Sequence, residues 1–218
     1  SWKLGAALAA GCTLVAKPAE ETPLSTLTLA SIMAEAGLPA GVFNVVTGYG
    51  HTVGATLVAH PVPRKVAFTG GVESGKKIYA LAAQTNKRVT LEMGGQCPAI
   101  VCNDADLETA VPAIVRHSFR NAGQYCYRVN RVYAQAQIYG EFVERMMVEI
   151  KGLKVGPGTN PDIFMGPLIN SRLLDRSLSH IHDAVENGAQ LVVGGERLSG
   201  PAFDGGYFLA PALLTDTD

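Results

Sequence analysis

The chain has 218 residues, of which 47% are hydrophobic and 17% charged, with a formal net charge of -1. That length can bury a substantial core in one large domain or two small ones. The charge balance excludes a basic surface for nucleic acid, no Lys/Arg run marks a membrane-binding patch, and Gly, Pro or charge interrupts every apolar stretch before it reaches the length of a membrane span. The opening Ser1-Trp2-Lys3 lacks the basic start and apolar core of a secretory leader, and it lacks an initiator Met, so the expectation is a chain that is not the whole protein. Cys12, Cys97, Cys102 and Cys126 match neither zinc-site nor Cys-x-x-Cys spacing. They read as reduced thiols of a cytoplasmic protein.

In chain order, Thr13 to Ala16 reads as a short strand. Thr22 and Pro23 open a helix, the threonine as cap and the proline at the first helical position. Its pattern runs from Leu24 to Ala36, and Gly37 supplies the stop. Val42 to Val46 is the next strand, followed by the turn Gly48-Tyr49-Gly50 and a short helix over Val53 to Ala59. Lys65 to Phe68 is a third strand, ending in the turn Thr69-Gly70-Gly71, with a helix from Ser74 to Ala83 behind it. Val89 to Glu92 is a fourth, closed by Gly94-Gly95. This strand–helix repetition argues for a parallel sheet covered by helices. Beyond it, strands are expected at Ala99 to Cys102, Arg131 to Ala134, Leu191 to Val193 and Phe208 to Leu214. Helices are expected at Leu107 to Phe119, with Asp104 or Asp106 near its start, at Tyr139 to Leu153, and at Ser171 to Asn187. There is no internal repeat or low-complexity linker. The expected domains are residues 1–93 and 94–218, parted at the Gly94-Gly95 turn.

Four places carry chemistry. In Thr69 to Gly75, between strand and helix, glycines let backbone approach an anion and a helix N-terminus attracts phosphate; an ordinary tight turn shares the pattern, which is not G-x-G-x-x-G. Lys17 and Glu20 follow the first strand, where ligands of open α/β sheets gather; they can hold a ribose hydroxyl or phosphate, or form a solvated charged loop. Glu92 closes an apolar strand. Buried there, its pKa would rise toward that of a usable base; exposed, it is only a strand-end glutamate. Cys126 follows the polar turn Asn121-Ala-Gly-Gln124, whose backbone N–H groups would favour a thiolate and stabilise an oxyanion, whereas Cys12, Cys97 and Cys102 read as buried structural cysteines. His51, His60, His117, His180 and His182 show no metal spacing, and no metal site is expected.

Taken together and in this order, the segments resemble the aldehyde dehydrogenase superfamily. The resemblance rests on Lys17-Pro-Ala-Glu20, Ala36-Gly-Leu-Pro-Ala-Gly41, Phe68-Thr-Gly-Gly71, Val89-Thr-Leu-Glu-Met-Gly-Gly95, Asn121-Ala-Gly-Gln-Tyr-Cys126 and Met165-Gly-Pro-Leu168. It implies an α/β fold truncated at both ends, with a Rossmann-like parallel-sheet cofactor portion followed by an α/β catalytic portion. Cys126 would attack the aldehyde carbonyl to form a thiohemiacetal, and Glu92 would activate the water that hydrolyses the later thioester. Lys17 and Glu20 would hold the adenosine ribose, with Gly50 and Gly54 on the adenine side. Phe68, Thr69, Gly70 and Gly71 would lie near the diphosphate, and Met93 and Gly94 nearer the nicotinamide. The carboxylate of Glu20 favours NAD, while Lys17 leaves NADP open.

Three departures qualify the match. Gly71 stands where many relatives have serine, and Gln96 where lysine is common. The family's oxyanion asparagine and its Glu-Ile-Phe-Gly-Pro segment are not in this chain, so it resembles an internal piece. Arg120 matches the arginine with which succinate-semialdehyde dehydrogenases bind a substrate carboxylate, but Trp2 stands at their second arginine. Tyr125 and Tyr127 flank the nucleophile and would shape the substrate pocket. The expected partner is a small aldehyde, succinate semialdehyde among the candidates, with a homodimer or homotetramer for the complete protein and neither nucleic acid nor membrane. A catalytically incomplete NAD-binding fragment and a coenzyme A-acylating dehydrogenase are the alternatives.

Overall fold

The computed structural model describes residues 2–217. The chain divides into two compact units, one ending at Gly94 and the other beginning at Gly95.

The first unit runs α1 (Trp2–Ala9), β1 (Leu14–Ala16), α2 (Leu24–Glu35), β2 (Phe43–Val45), α3 (Ala55–Ala59), β3 (Lys65–Gly70), α4 (Val72–Ala83) and β4 (Arg88–Met93). Strand β1 pairs in parallel with β2. Strand β3 pairs in parallel with β4 over six residues, from Lys65 opposite Arg88 to Gly70 opposite Met93. The α1 helix, absent from the sequence reading, has a glycine inside it, which lowers its helix propensity. Helix α2 starts on Pro23 rather than Thr22. Proline already holds the α conformation (φ -79°, ψ -25°), and its carbonyl accepts from the N–H groups of Thr26 and Leu27, both at 3.1 Å. Gly37 ends the helix as expected, at φ +88°.

The expected turn at Thr69-Gly70-Gly71 is mostly strand. The ladder to β4 continues through Gly70, and only Gly71 leaves it, in an extended conformation that caps α4 two residues earlier than the expected Ser74. Helix α4 packs on β3 and β4 and buries Ala82 completely. A Cβ on Gly75 of the same helix would lie 2.6 Å from Met93 Sδ, so a side chain there would require the methionine to turn aside.

The second unit runs β5 (Ala99–Val101), α5 (Leu107–Phe119), β6 (Val132–Ala134), α6 (Tyr139–Lys151), α7 (Ser171–Glu186), β7 (Gln190–Val193) and β8 (Leu213–Thr215). Strands β5 and β6 are parallel, whereas β7 and β8 are antiparallel with an irregular register between Leu191 and Val193. Leu107, Val111 and Val115 of α5 meet Phe142, Met146 and Ile150 of α6, with Val101 and Val193 closing the cluster. Both sets repeat at i, i+4, so each helix presents one continuous apolar stripe. The expected strand from Phe208 to Leu214 is shorter. Pro211 has no N–H to give a ladder, and Tyr207 and Leu209 make only single bridges, to Leu168 and Arg197. Among the described residues, no helix is long and apolar enough to cross a membrane.

Asp106 caps α5. Its Oδ1 accepts from the Glu108 N–H at 3.0 Å and its Oδ2 from the Thr109 hydroxyl at 2.6 Å. The Thr109 hydroxyl first, then the Glu108 N–H, holds this carboxyl below the ordinary aspartate value.

Two outcomes follow from this packing. Ile150 is 1% exposed, and truncating it to alanine should cost about 2–5 kcal/mol in urea titration, with the denaturant slope unchanged. Because the folded Asp106 carboxyl titrates below its unfolded value, the cap's contribution is complete above the ordinary aspartate range and is lost as pH falls through the depressed value. The melting-temperature gap between the parent and Asp106→Ala should therefore hold near neutrality and close in acid; a gap that persists in acid would show that the ionised carboxylate is not what stabilises the cap.

Candidate active site

Lys17 and Glu20 lie in the loop after β1, and Gly50 and Gly54 bound the π-helical turn that leads into α3. The Lys17 ammonium donates to the carbonyls of Pro18 at 2.5 Å and Gly48 at 3.2 Å, and it lies 3.8 Å from Glu20 Oε1. The Gly50 N–H donates to the same Oε1 at 2.5 Å. A Cβ on Gly50 would meet Glu20 Oε1 at 3.6 Å, and one on Gly54 would meet Lys17 Cδ at 3.6 Å. The four expected residues therefore form one cluster. Its turn depends on Gly48 at φ +140°, where a Cβ would lie 2.4 Å from Val53 Cγ2. The Glu20 carboxyl is held below the ordinary glutamate value, first by its own main-chain N–H and then by that of Gly50. Lys17 and His51 add to the effect and burial opposes it. The result is an ionised acceptor suited to hydroxyl donors.

The ends of β3 and β4 gather the next group. Thr69 lies opposite Glu92 and Gly70 opposite Met93. The Phe68 ring folds against Gly70, where a Cβ would be 2.4 Å from Cζ. Gly71 caps α4 in open space, with no atom within 4 Å of where its Cβ would be. The Lys3 ammonium of α1 hydrogen-bonds the Thr69 hydroxyl; nothing near Lys3 in the sequence points to this partner 66 residues away. The Glu92 side chain is exposed at the strand end rather than buried.

In the second unit, α5 gives way to a single 3₁₀ turn, Arg120–Gly123. Asn121 (φ 52°, ψ 33°) and Ala122 (φ 53°, ψ 35°) are left-handed, as is Gly123 at φ +69°. The Gln124 amide holds this turn. It donates to the carbonyls of Asn121 at 3.1 Å and Pro167 at 3.3 Å, and it accepts from the Ile169 N–H at 2.9 Å. The Met165 to Leu168 segment, notable in the sequence only through resemblance, is thereby fastened to the cysteine loop. The Tyr125 hydroxyl donates to the His117 carbonyl, and Asn130 donates to Gln96. Among the described residues, the main-chain N–H groups of Tyr125, Cys126 and Tyr127 meet no acceptor.

Arg120, Tyr125 and Tyr127 line one cavity of about 660 Å³ with Asn121, Phe164 and Pro167. The two tyrosine rings meet edge to face at 4.7 Å. Burial pushes the Tyr125 phenol up, with Tyr127 adding and Arg120 and Arg128 opposing, so it stays a protonated donor. Arg120 ends its helix exposed and without an ion pair among the described residues, which removes the alternative of a structural helix-end pair. Arg128, passed over in the sequence, lies against Gly123, and burial pulls its guanidinium down from the ordinary value while Tyr125 and Cys97 oppose.

The expectation of three buried cysteines fails. Cys12 and Cys102 are exposed, and Cys97 is half-buried like Cys126. The Cys97 thiol donates to the Cys126 carbonyl at 3.3 Å. The described residues contain no group of three or more His, Cys, Asp or Glu placed to hold a metal ion.

The model of the aldehyde dehydrogenase family matches residues 1–218. The chain is 44% identical to 3-sulfolactaldehyde dehydrogenase of Pseudomonas putida over 98% of its own length and 43% of that protein's. It is also 44% identical to the NADP+-dependent succinate-semialdehyde dehydrogenase GabD of Escherichia coli K12, over 98% of the chain and 44% of the relative. Betaine aldehyde dehydrogenase of Staphylococcus aureus, solved in complex with NAD+, superposes with a TM-score of 0.96 at 37% identity, over 100% of this chain and 43% of that one. The chain thus spans less than half the length of these relatives, and over that span it has their fold. By sequence and by fold together, the chain belongs to the aldehyde dehydrogenase family.

Proposed function

We propose that the complete protein oxidises an aldehyde to a carboxylic acid with NAD(P), through a covalent intermediate on Cys126. The observation that carries this reading is the cysteine loop itself. A half-buried thiol follows a turn with left-handed residues, beside N–H groups without acceptors. Such N–H groups would stabilise the oxyanion that forms when sulfur adds to a carbonyl. Cys126 Sγ bonds to the aldehyde carbon, and collapse of the adduct leaves a thioester. Glu92 takes a proton from the water that attacks it, and the acid departs as the thiol is regenerated. NAD(P), when bound, accepts the hydride lost by the adduct.

The first unit suits a dinucleotide on two observations. Glu20 is an ionised acceptor for sugar hydroxyls, and Gly71 leaves the N-terminus of α4 bare. We assign it the cofactor and the second unit the substrate, with Lys17, Gly50 and Gly54 beside Glu20 and with Phe68, Thr69, Gly70, Met93 and Gly94 along the strand ends. The substrate class we infer is an aldehyde bearing an anionic group, succinate semialdehyde among them. Arg120 lacks a carboxylate partner while lining the cavity with Tyr125 and Tyr127, and the names of two relatives specify anionic aldehydes. A cytoplasmic homodimer or homotetramer completes the proposal.

The test is NAD(P)H formation with a panel of aldehydes, with and without coenzyme A. Cys126→Ala should reduce turnover to background, and turnover surviving in that variant would remove the thiol from the chemistry. Arg120→Gln should lower kcat/KM for succinate semialdehyde by about ten- to a hundredfold, the worth of a charged hydrogen bond, and leave a neutral aldehyde unchanged. Equal losses on both substrates would make Arg120 structural.

A further inference from the structure

The mechanism above uses one thiol, yet a second lies against the same loop. Cys97 Sγ is 3.3 Å from the carbonyl oxygen of Cys126, a main-chain atom of the nucleophile residue. Both side chains are half-buried, so small reagents reach them. Cys97 itself sits at φ +42°, outside regular structure, and Cys126 follows the left-handed turn; neither thiol is locked in a helix or strand. Arg128, with no carboxylate partner among the described residues, is close enough to Cys97 for their charges to interact. The thiolate is the form that attacks another sulfur.

We infer that Cys97 and Cys126 form a thiol-modification site that takes peroxides and closes to a reversible disulfide. The Cys126 thiolate attacks the O–O bond of hydrogen peroxide; an S–O bond forms, and hydroxide leaves and is protonated to water. The Cys97 thiolate then attacks the Cys126 sulfenic sulfur; the S–S bond forms, the S–O bond breaks, and the leaving hydroxide takes up the proton that Cys97 gave away. Two thiols have lost two electrons and one peroxide has become two waters. Without Cys97, further peroxide would carry Cys126 to the sulfinic acid, which thiols do not reverse. The inference rests on Cys126 being a reactive thiol, as proposed above, but not on aldehyde turnover.

Trypsin leaves Cys126 alone on residues 121–128 and leaves Cys97 and Cys102 together on 89–116. The experiment therefore uses the full chain carrying Cys102→Ser, treated with hydrogen peroxide and digested without reductant. The expected product joins those two fragments, about 2 Da lighter than their sum, and dithiothreitol releases them. In Cys97→Ser on the same background, Cys126 should instead gain about 32 Da that dithiothreitol does not remove. A Cys126 that reaches the sulfinic acid without joining to Cys97, or that pairs with Cys12, would overturn the inference. If the Cys97→Ser chain fails to fold, the digest of the Cys97-containing chain decides by itself. A complete protein that links the two cysteines but oxidises no aldehyde would sink the proposed function and leave this one standing.

Discussion

The parallel pairing of β3 with β4 governs the chemistry-bearing end of the first unit. Six consecutive residues on each strand share one register, which sets Thr69 beside Glu92 and Gly70 beside Met93. A strand alternates its faces with period two, so a slip of one residue would turn every one of these side chains to the opposite face. The ladder stops at Gly70 because Gly71 turns into the cap of α4, and the bare helix start stands at the end of the strand that carries Thr69. The same pairing supplies the floor on which α4 lies.

The second unit solves a different problem. Two non-glycine residues in left-handed conformations cost about 1–3 kcal/mol each, so the turn before Cys126 persists only if something else determines it. The Gln124 amide is that determinant. A single planar group engages the turn itself, Pro167 and Ile169, and it joins segments more than forty residues apart. Tyr125 anchors the following residue to the end of α5. The loop is irregular but held at several points, and a loop of that kind can present a thiol without sheltering it.

What the sequence revealed followed the range of the interactions involved. The i, i+4 stripes of α5 and α6, the stop at Gly37 and the acidic cap at Asp106 are local, and each could be read from a few neighbouring residues. Lys17 and Glu20 could be singled out from their place after the first strand, but Gly50 and Gly54 were identifiable only through resemblance, because no local rule brings a loop after β1 to the turn before α3. The contact of Lys3 with Thr69, the bridging by Gln124 and the approach of Cys97 to Cys126 depend on partners far along the chain and left no local trace. Glu92 illustrates the same limit. The strand pattern left burial and exposure of its closing residue both open; only the packing decides, and it leaves this side chain exposed. Pro211 shows the reverse: its missing N–H was visible in the sequence, and it shortens the final strand.

The contact between Gly75 and Met93 ties two positions eighteen residues apart into one unit of sequence variation. With 2.6 Å between a would-be Cβ and the Met93 sulfur, alanine at 75 demands a smaller or differently turned neighbour at 93. Homologous chains that replace the glycine should therefore either differ at the methionine or hold it in another rotamer.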